Sequence, residues 1–296
     1  MEMDLRALTY FVAVAKHGSV SAAALDCSVS QPAISRQIAT MERKMKIRLF
    51  RRTAAGMRLT PAGARLRELA SDILIRSDRA TEVMRTLYEG QPSFHVASPE
   101  TTFNFFIAPF IAATGAPIVD IRAERPADVY NTLSDGIDLA VGTSPPPPHL
   151  ASLRLIDTPI MVQFPEIPDW ATENGAVDLE TIAGRQIIMP GYGSAVERTV
   201  VEHAVARGLD LTFSGTTSTG TMAQALAASG RGSALVIEPA QHDLRHAFLF
   251  SEGTPLAVTL YAAWETEHYL TETIQTIARE LAEWMPRRQT VTAPTL

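Results

Sequence analysis

This sequence of 296 residues has a single cysteine, no long apolar run and few basic residues for its length outside the first 60. One cysteine, Cys27, excludes a disulfide scaffold. The stretch nearest to a membrane span, Phe105 to Val119, is interrupted by Pro109, Gly115 and Pro117, so no run of about 18 apolar residues remains. The start Met-Glu-Met-Asp is acidic where a standard secretory signal is basic, and we expect a cytoplasmic protein.

The charge that is present is unevenly distributed. Apolar residues make up 46% and charged residues 20%, as in a folded globular protein, and the length predicts about two domains. Residues 1–60 hold ten basic and four acidic residues, whereas the remainder holds sixteen basic and twenty-eight acidic ones, which together give the net charge of −6. A basic end on an acidic chain indicates an anionic polymer as the partner of that end; the alternative is a solvated, charged helix face.

Two helical patterns open the chain. Gly18 ends the first helix, and Ser19 or Ser21 can cap the second, which is short and ends near Cys27. The first helix is predicted by apolar residues spaced three and four apart, which are Leu5, Leu8, Phe11, Val12 and Ala15.

A third helix follows a tight turn. Ser30 is a candidate N-cap, and Pro32 fits the first helical turn, where its missing N–H costs nothing. Ile34 and Ile38 lie on one face, while Ser35, Arg36 and other polar residues point elsewhere. Two short helices joined in this way are typical of a helix-turn-helix, whose second helix reads base edges in the major groove of DNA.

A small hairpin is predicted from Ile47 to Thr60. Leu49, Phe50 and Leu59 are expected to pack inward. Arg51, Arg52 and Arg58 are expected to project toward a phosphate backbone, as in the wing of a winged helix-turn-helix.

Residues Ser19 to Gly63 resemble the DNA-binding region of LysR-type transcriptional regulators. The residues that match the family pattern at its fixed spacing are Ser19, Ala23, Ala24, Ser30, Gln31, Pro32, Ala33, Ile34, Ser35, Ile38, Glu42, Leu49, Phe50, Arg52, Leu59, Thr60, Ala62 and Gly63. The resemblance implies a DNA-binding transcription regulator. We expect Gln31, Ser35 and Arg36 to contact bases or their surroundings. The residues expected at the DNA backbone are Ser30, Pro32, Arg51, Arg52 and Arg58.

Three positions depart from that pattern. Cys27 replaces a usual leucine and is either a small buried apolar residue or a redox-sensing thiol. Lys46 replaces the glycine that usually ends the recognition helix, so we expect a less tight turn there. Ala55 stands where many members carry a second wing arginine, so one phosphate contact is either missing or supplied by Arg51 or Arg58.

A long helix is predicted from Pro61 to about Gly90. Leu66, Ile73, Ala80 and Leu87 recur every seven residues. The resemblance implies a linker helix that pairs two chains, so we expect a homodimer through this helix, and a homotetramer beyond it. The alternative is a helix that packs on its own domain.

The acidic remainder alternates between strands and helices, which predicts α/β units with mostly parallel sheets. The predicted strands are 94–97, 118–122, 139–141, 160–164, 187–189, 234–237 and 258–264, and the predicted helices lie near 102–113, 125–135, 195–207, 220–229 and 266–285.

This remainder resembles, more loosely, the effector-binding region of the same family, which is like the type 2 periplasmic binding fold. The resemblance rests on Phe110 to Pro117, on Gly136 to Val141, and on Ala227 to Gly232 before the strand that ends at Pro239. It implies an α/β effector domain of two subdomains behind an N-terminal winged helix-turn-helix and a long linker helix. The expected divisions are 1–60, 61–90 and 91–296, with subdomain I at about 91–161 and 266–296 and subdomain II at about 162–265.

Loops after strands are where such sheets bind ligands. Hydroxyls and free amides at three such loops suit a small carboxylate or another polar metabolite, although each loop alone is explained as well by helix capping. The candidate effector-binding residues are Ser98, Thr101, Thr102, Gly191, Tyr192, Ser194, Ser218 and Thr219.

Other motifs indicate no catalysis. His242 and His246 are four apart, as in a metal pair on a helix, but no third ligand follows, and we interpret them as surface residues. Pro145 to Pro148 predicts a stiff exposed loop. We expect no cofactor and no enzymatic activity. Two alternatives remain: an architectural DNA-binding protein without a ligand, and an enzyme with a basic tether.

Overall fold

The structure is a computed structural model that describes residues 4–53, 56–90, 92–173, 175–191, 193–211 and 213–288. It divides into two compact units, Met1–Pro92 and Ser93–Leu296. Within the described residues no helix is long and apolar enough to cross a membrane.

The first unit consists of helices around a two-stranded hairpin. Its elements are α1 (Leu5–His17), α2 (Val20–Asp26), α3 (Gln31–Met45), β1 (Phe50–Thr53), β2 (Gly56–Leu59) and α4 (Pro61–Glu89). Phe11, which is fully buried, packs against Phe50 with ring centroids 5.2 Å apart, so the core joins α1 to the wing hairpin. The other large side chains that are buried here are Leu8, Ile34, Ile38, Met41 and Leu49.

Local chemistry sets the ends of these helices. Gly18 ends α1 in the left-handed region at φ 64°, and the Ser19 hydroxyl caps α2 by accepting a hydrogen bond from the Ala22 amide. Ser30 occupies the N-cap position of α3, as the sequence suggested, but its side chain makes no capping hydrogen bond. The turn at Lys46 was expected to be less tight; instead Lys46 adopts the left-handed conformation at φ 54°, which costs a non-glycine residue about 1 kcal/mol.

The first sheet of the second unit has five strands in the order β4-β3-β5-β14-β6. Its strands are β3 (Phe94–Ser98), β4 (Ile118–Ala123), β5 (Leu139–Gly142), β6 (Leu150–Pro159) and β14 (Ala257–Glu265). β3 pairs in parallel with β4 and β5, whereas β14 runs antiparallel to β5 and β6.

The second sheet has seven strands in the order β10-β9-β11-β7-β12-β13, and β8 pairs with β12. Its strands are β7 (Met161–Phe164), β8 (Ala176–Asp178), β9 (Ile187–Pro190), β10 (Phe213–Thr217), β11 (Ser233–Val236), β12 (Arg245–Ser251) and β13 (Thr254–Pro255). β9 lies between β10 and β11 and is parallel to both, so the carboxyl ends of three strands meet at one edge.

Helices cover both sheets. They are α5 (Glu100–Thr102), a π-helical turn (Phe103–Ile107), α6 (Ala108–Thr114), a 3₁₀ helix (Val129–Asp135), α7 (Leu179–Ile182), α8 (Ala195–Ala206), α9 (Gly220–Ala228) and α10 (Thr271–Arg288). A continuous apolar core runs through both sheets and includes the fully buried side chains of Phe94, Phe110 and Ile274.

Several sequence expectations differ from this fold. The strand pattern missed β6, β8, β10, β12 and β13. The two histidines considered as a metal pair on a helix do not share one, because His242 lies in a turn and His246 lies on β12. The expected subdomain boundary at residue 265 assigns β14 to subdomain II, but β14 is hydrogen-bonded into the first sheet. The last helix begins at Thr271 rather than at residue 266.

Candidate functional site

The wing hairpin presents three arginines to solvent. Arg51, Arg52 and Arg58 are exposed, and within the described part of the chain none of them has an ion-pair partner. In the strand register Arg51 lies directly opposite Arg58. Side chains at opposed positions of an antiparallel pair are neighbours, and like charges there repel one another. The hairpin therefore concentrates positive charge that an anionic surface would neutralise.

The start of α3 exposes the residues expected to read DNA. Ser30, Gln31, Pro32 and Arg36 are exposed and Ser35 is half-buried. The Ser21 hydroxyl of α2 donates a hydrogen bond to Oε1 of Gln31 at 3.2 Å. The Gln31 amide is thereby oriented before any ligand arrives, with its NH₂ group left to donate. Sequence reasoning considered Ser21 only as a cap.

A buried carboxylate joins α3 to the wing. Glu42 is 8% exposed, and its Oε1 accepts hydrogen bonds from the amides of Leu49 at 2.8 Å and Phe50 at 3.1 Å. Nη1 of Arg48 donates to its other oxygen at 2.8 Å. Burial alone would raise the pKa of Glu42, but the Phe50 and Leu49 amides and the Arg48 guanidinium outweigh burial and lower the pKa. The sequence signals were that Glu42 matches the LysR family pattern and that it is the one acid between Gln31 and Arg58.

The wing is also held against the turn between α1 and α2. The Met57 amide donates to the Gly18 carbonyl at 2.8 Å. A Cβ on Gly56 would lie 2.5 Å from that same carbonyl oxygen, and Gly56 has φ 111°, so this position requires glycine. Ala55, the sequence departure in the wing, lies outside the described residues.

The second unit contains a cavity of about 840 Å³ at the ends of strands from both sheets. Its lining includes six of the eight predicted effector-binding residues, which are Thr101, Thr102, Gly191, Ser194, Ser218 and Thr219. Ser98 does not line it: the side chain is fully buried and its hydroxyl donates to the Pro99 carbonyl at 3.2 Å. Tyr192 lies outside the described residues. A volume of this size suits a small-molecule site.

Two of the predicted hydroxyls serve as helix caps in this structure. Ser194 accepts from the Glu197 amide at 3.0 Å and donates to the Pro190 carbonyl at 2.6 Å. Thr219 accepts from the Met222 amide at 3.2 Å. Capping, the alternative left open by the sequence, therefore accounts for these two side-chain oxygens, while the backbone around them still lines the cavity.

Sequence reasoning missed a buried acid in the cavity wall. Glu238 is 3% exposed, and its carboxylate accepts from the Thr101 hydroxyl at 3.3 Å and from the Ile237 amide at 3.1 Å. Burial raises the pKa of Glu238. A Cβ on Gly220 would lie 2.0 Å from Oε1 of Glu238, so the carboxylate rests against the start of α9. Its position just after the strand β11 was the available signal.

Other polar groups of the lining come from loops with no sequence motif. Arg125 is paired with Asp128 at 2.6 Å. Oγ1 of Thr143 is buried and has no hydrogen-bond partner, while Nη2 of Arg198 donates to the Thr143 carbonyl at 2.7 Å. An unsatisfied buried hydroxyl at a cavity wall is a group that a ligand can satisfy.

The remaining candidates were a redox-active thiol at Cys27 and a metal site. Cys27 is half-buried at the end of α2, and burial, followed by the charge of Asp26, raises the pKa of its thiol, which disfavours a reactive thiolate. Among the described residues no group of three or more His, Cys, Asp or Glu is arranged to hold a metal ion.

Comparison with protein families gives two matches. The model described as "Bacterial regulatory helix-turn-helix protein, lysR family" matches residues 5–64. The model described as "LysR substrate binding domain" matches residues 89–286. The first match lies within the first unit, and the second match covers most of the second unit, which contains the cavity.

Curated relatives are transcriptional regulators. The chain is 32% identical over 152 residues to the HTH-type transcriptional regulator TfdT of Cupriavidus pinatubonensis, which is 47% of this chain and 64% of that protein. It is 40% identical over 89 residues to TfdS of the same organism, 30% of each protein. These alignments span less than two thirds of either relative. The nitrogen assimilation regulatory protein Nac of Klebsiella aerogenes is 29% identical over 253 residues, 82% of this chain and 81% of Nac.

Solved structures share the fold. Full-length CbnR in complex with its target DNA superposes with a TM-score of 0.73 at 20% identity, over 97% of this chain and 100% of CbnR. Full-length BenM gives a TM-score of 0.52 at 20% identity, over 99% and 100% of the two chains. The expected fold class, a winged helix-turn-helix with a linker helix and a two-subdomain α/β domain, is confirmed.

Proposed function

We propose, from the premise that this chain belongs to the LysR family of bacterial transcriptional regulators, that it binds operator DNA through its first unit and a small polar effector through its second. The observation that carries the DNA-binding part is the opposed pair Arg51 and Arg58 on the exposed wing. Two guanidinium groups at opposed positions repel one another unless an anion lies between or beside them, and a DNA backbone supplies such anions.

The recognition helix supplies the base contacts in this proposal. With α3 in the major groove, Gln31, Ser35 and Arg36 reach base edges or their surroundings. Its exposed start and the wing arginines hold the phosphates on either side, which orients the unit on the duplex. The residues assigned to the backbone are Ser30, Pro32, Arg51, Arg52 and Arg58.

A second copy of the chain completes the DNA site. One winged unit contacts few base pairs, so specificity requires two half-sites. The helix α4 carries apolar side chains that are exposed in the single chain, as expected of a surface that another α4 covers. These side chains are Leu69, Ile73, Ile75, Met84 and Tyr88. We propose a homodimer through α4 and a homotetramer built from two such dimers.

The cavity is proposed as the effector site. It lies where loops from both sheets meet, so a ligand there contacts both subdomains and favours one arrangement of them. A change in the arrangement of the subdomains alters how the subunits pack against one another, and so changes DNA binding or bending. A protein with this role acts where the DNA is, which places it in the bacterial cytoplasm.

The phosphate contact is tested with Arg52→Ala and a duplex selected by the protein from random DNA. We expect weaker binding to every duplex, and a salt dependence of the binding constant that corresponds to about one phosphate fewer. Arg231→Ala, which removes an exposed arginine of the second unit, is the matched control and should leave the slope unchanged. An unchanged slope in Arg52→Ala contradicts the proposed contact.

A further inference from the structure

The helix starts that face the cavity already carry carboxylates of the chain itself. At the start of α8, Oε2 of Glu197 accepts from the Gly193 amide at 2.7 Å. At the start of α9, the Glu238 carboxylate rests against Gly220. Glu100 is the first residue of α5. A negatively charged ligand that approached these positive helix ends would find acceptors and negative charge in place.

The charged side chains of the lining reinforce this pattern. Among the described residues that line the cavity, four are acidic and one is basic. The acidic ones are Glu100, Glu124, Asp128 and Glu238. The basic one, Arg125, is already paired with Asp128 at 2.6 Å. The described lining thus offers no guanidinium or ammonium group free to hold a carboxylate, and its formal charge is negative.

The remaining polar groups are suited to a ligand that donates hydrogen bonds. Hydroxyls accept as well as donate, and carboxylates only accept. Thr143 brings an unpartnered buried Oγ1 to the wall, and the Thr101 hydroxyl donates to the Glu238 carboxylate, which follows β11 of the second sheet. A site with fixed acceptors and excess negative charge lowers the free energy of a bound cation and raises that of a bound anion.

We propose that the effector of this cavity is a small cationic molecule that carries an amine, rather than the carboxylate suggested by the loop hydroxyls alone. The inference rests on the proposed function of the cavity as the effector site and names the chemical class of that effector. The ammonium group donates to Glu238 and to neighbouring hydroxyls of the wall.

Skeleton-matched probes test the class. Thermal unfolding of the full-length chain is followed with 1,4-diaminobutane, 1,4-butanediol and succinate, and with their homologues of neighbouring chain length. We expect a concentration-dependent rise in Tm of about 2–4 °C or more with at least one amine, because a ligand that binds only the folded chain stabilises it by mass action. The diol and the dicarboxylate of the same length should have no such effect.

A conservative variant tests the assigned residue. Glu238→Gln keeps the shape of the side chain and removes its charge, so amine affinity should fall about tenfold or more while the variant still folds and binds DNA. Glu202→Gln, on the exposed side of α8 and outside the cavity, is the matched control and should respond to the amine like the unaltered chain. An undiminished amine response in Glu238→Gln overturns the assignment.

The remaining outcomes distinguish the cationic class of the effector from the role of the cavity as an effector site. Stabilisation by a dicarboxylate without stabilisation by any amine overturns the cationic class and leaves the cavity as an effector site. An equal response to the diol overturns the role of charge. If no probe stabilises the chain, the inference is wrong. If, in addition, no metabolite of any class alters the DNA complex, the proposed ligand response of the second unit fails as well.

Discussion

Arg51 and Arg58 face one another across the two-stranded wing, with no acidic partner for either within the described residues. A two-stranded hairpin is only marginally stable by itself, so a repulsive pair there is tolerated because Phe50 is buried at its base and Met57 is tied to Gly18. The repulsion between Arg51 and Arg58 thus lowers the stability of the wing, and the same pair concentrates positive charge on its surface.

Removing one member of this pair should have opposite effects on stability and on binding. Arg58→Gln relieves the repulsion, so we expect the free energy of unfolding to stay unchanged or to rise by up to about 1 kcal/mol. The same change should weaken DNA binding and flatten its salt dependence. Urea unfolding and a DNA titration at several salt concentrations measure the two effects. Loss of stability together with unaltered DNA binding would show that the wing arginines are structural.

The contact between Ser21 and Gln31 predicts an effect on sequence preference. Ser21→Ala frees Oε1 of Gln31, so the amide can turn and present both its donor and its acceptor, the pattern that pairs with adenine. We expect the base preference at one position of each half-site to shift, while the number of phosphates contacted stays the same. Selection from random duplexes by the variant and by the unaltered protein reveals the shift.

The control for that prediction is Gln31→Ala, which removes the amide altogether. It should relax the preference at the same position in each half-site. If Ser21→Ala selects the same sequences as the unaltered chain, Ser21 does not position Gln31 for recognition.

Substitution of Glu42 should lower the stability of the first unit more than substitution of any other acid there. Glu42→Gln replaces a carboxylate that accepts two backbone amides and a guanidinium, and we expect the free energy of unfolding of this unit to fall by about 1–3 kcal/mol. Arg48→Ala removes only the exposed partner and should cost less than about 1 kcal/mol. Hydrogen exchange of the Leu49 and Phe50 amides measures the local effect. If Glu42→Gln and Arg48→Ala lost the same free energy of unfolding, the larger contribution of the backbone amides would be contradicted.

The same residue gives a pH dependence. The pKa of Glu42 is lowered in the folded chain, so its stabilising contribution is present above the ordinary carboxyl pKa and is lost as pH falls through the folded value. As pH falls through this range, the protection of the Leu49 amide from hydrogen exchange should therefore decrease in the unaltered chain. In Glu42→Gln, which lacks the titrating carboxylate, it should not depend on pH in this way.

Glu238 should show the opposite sign. Burial raises its pKa, so the folded chain holds a proton there that the unfolded chain has already released, and stability falls as pH rises from the ordinary carboxyl pKa through the folded value. Glu238→Gln removes this dependence, and the Tm of the variant relative to the unaltered chain should increase with pH across that window. A constant difference in Tm at all pH values would contradict the raised pKa of Glu238.

Several features of this protein follow from the sequence by itself. The helices of the first unit are determined by apolar residues at helical spacing and by local caps such as Ser19 and Gly18, which act within one turn of the chain. The alternation of strands and helices in the second unit, and the hydroxyl-rich loops before helices that carry Thr101 and Ser218, are equally local. For this reason six predicted residues do line one cavity.

The decisive contacts are those that only the tertiary structure determines. The Thr101 hydroxyl meets the Glu238 carboxylate across a separation of 137 residues, and no periodicity or turn motif relates the two positions. Strand β14 joins the first sheet rather than the second because its pairing with β5 and β6 depends on the path of the chain through both sheets. Local patterns specify which residues lie at strand ends; which charges then meet there, and so which effector the cavity favours, is decided by packing.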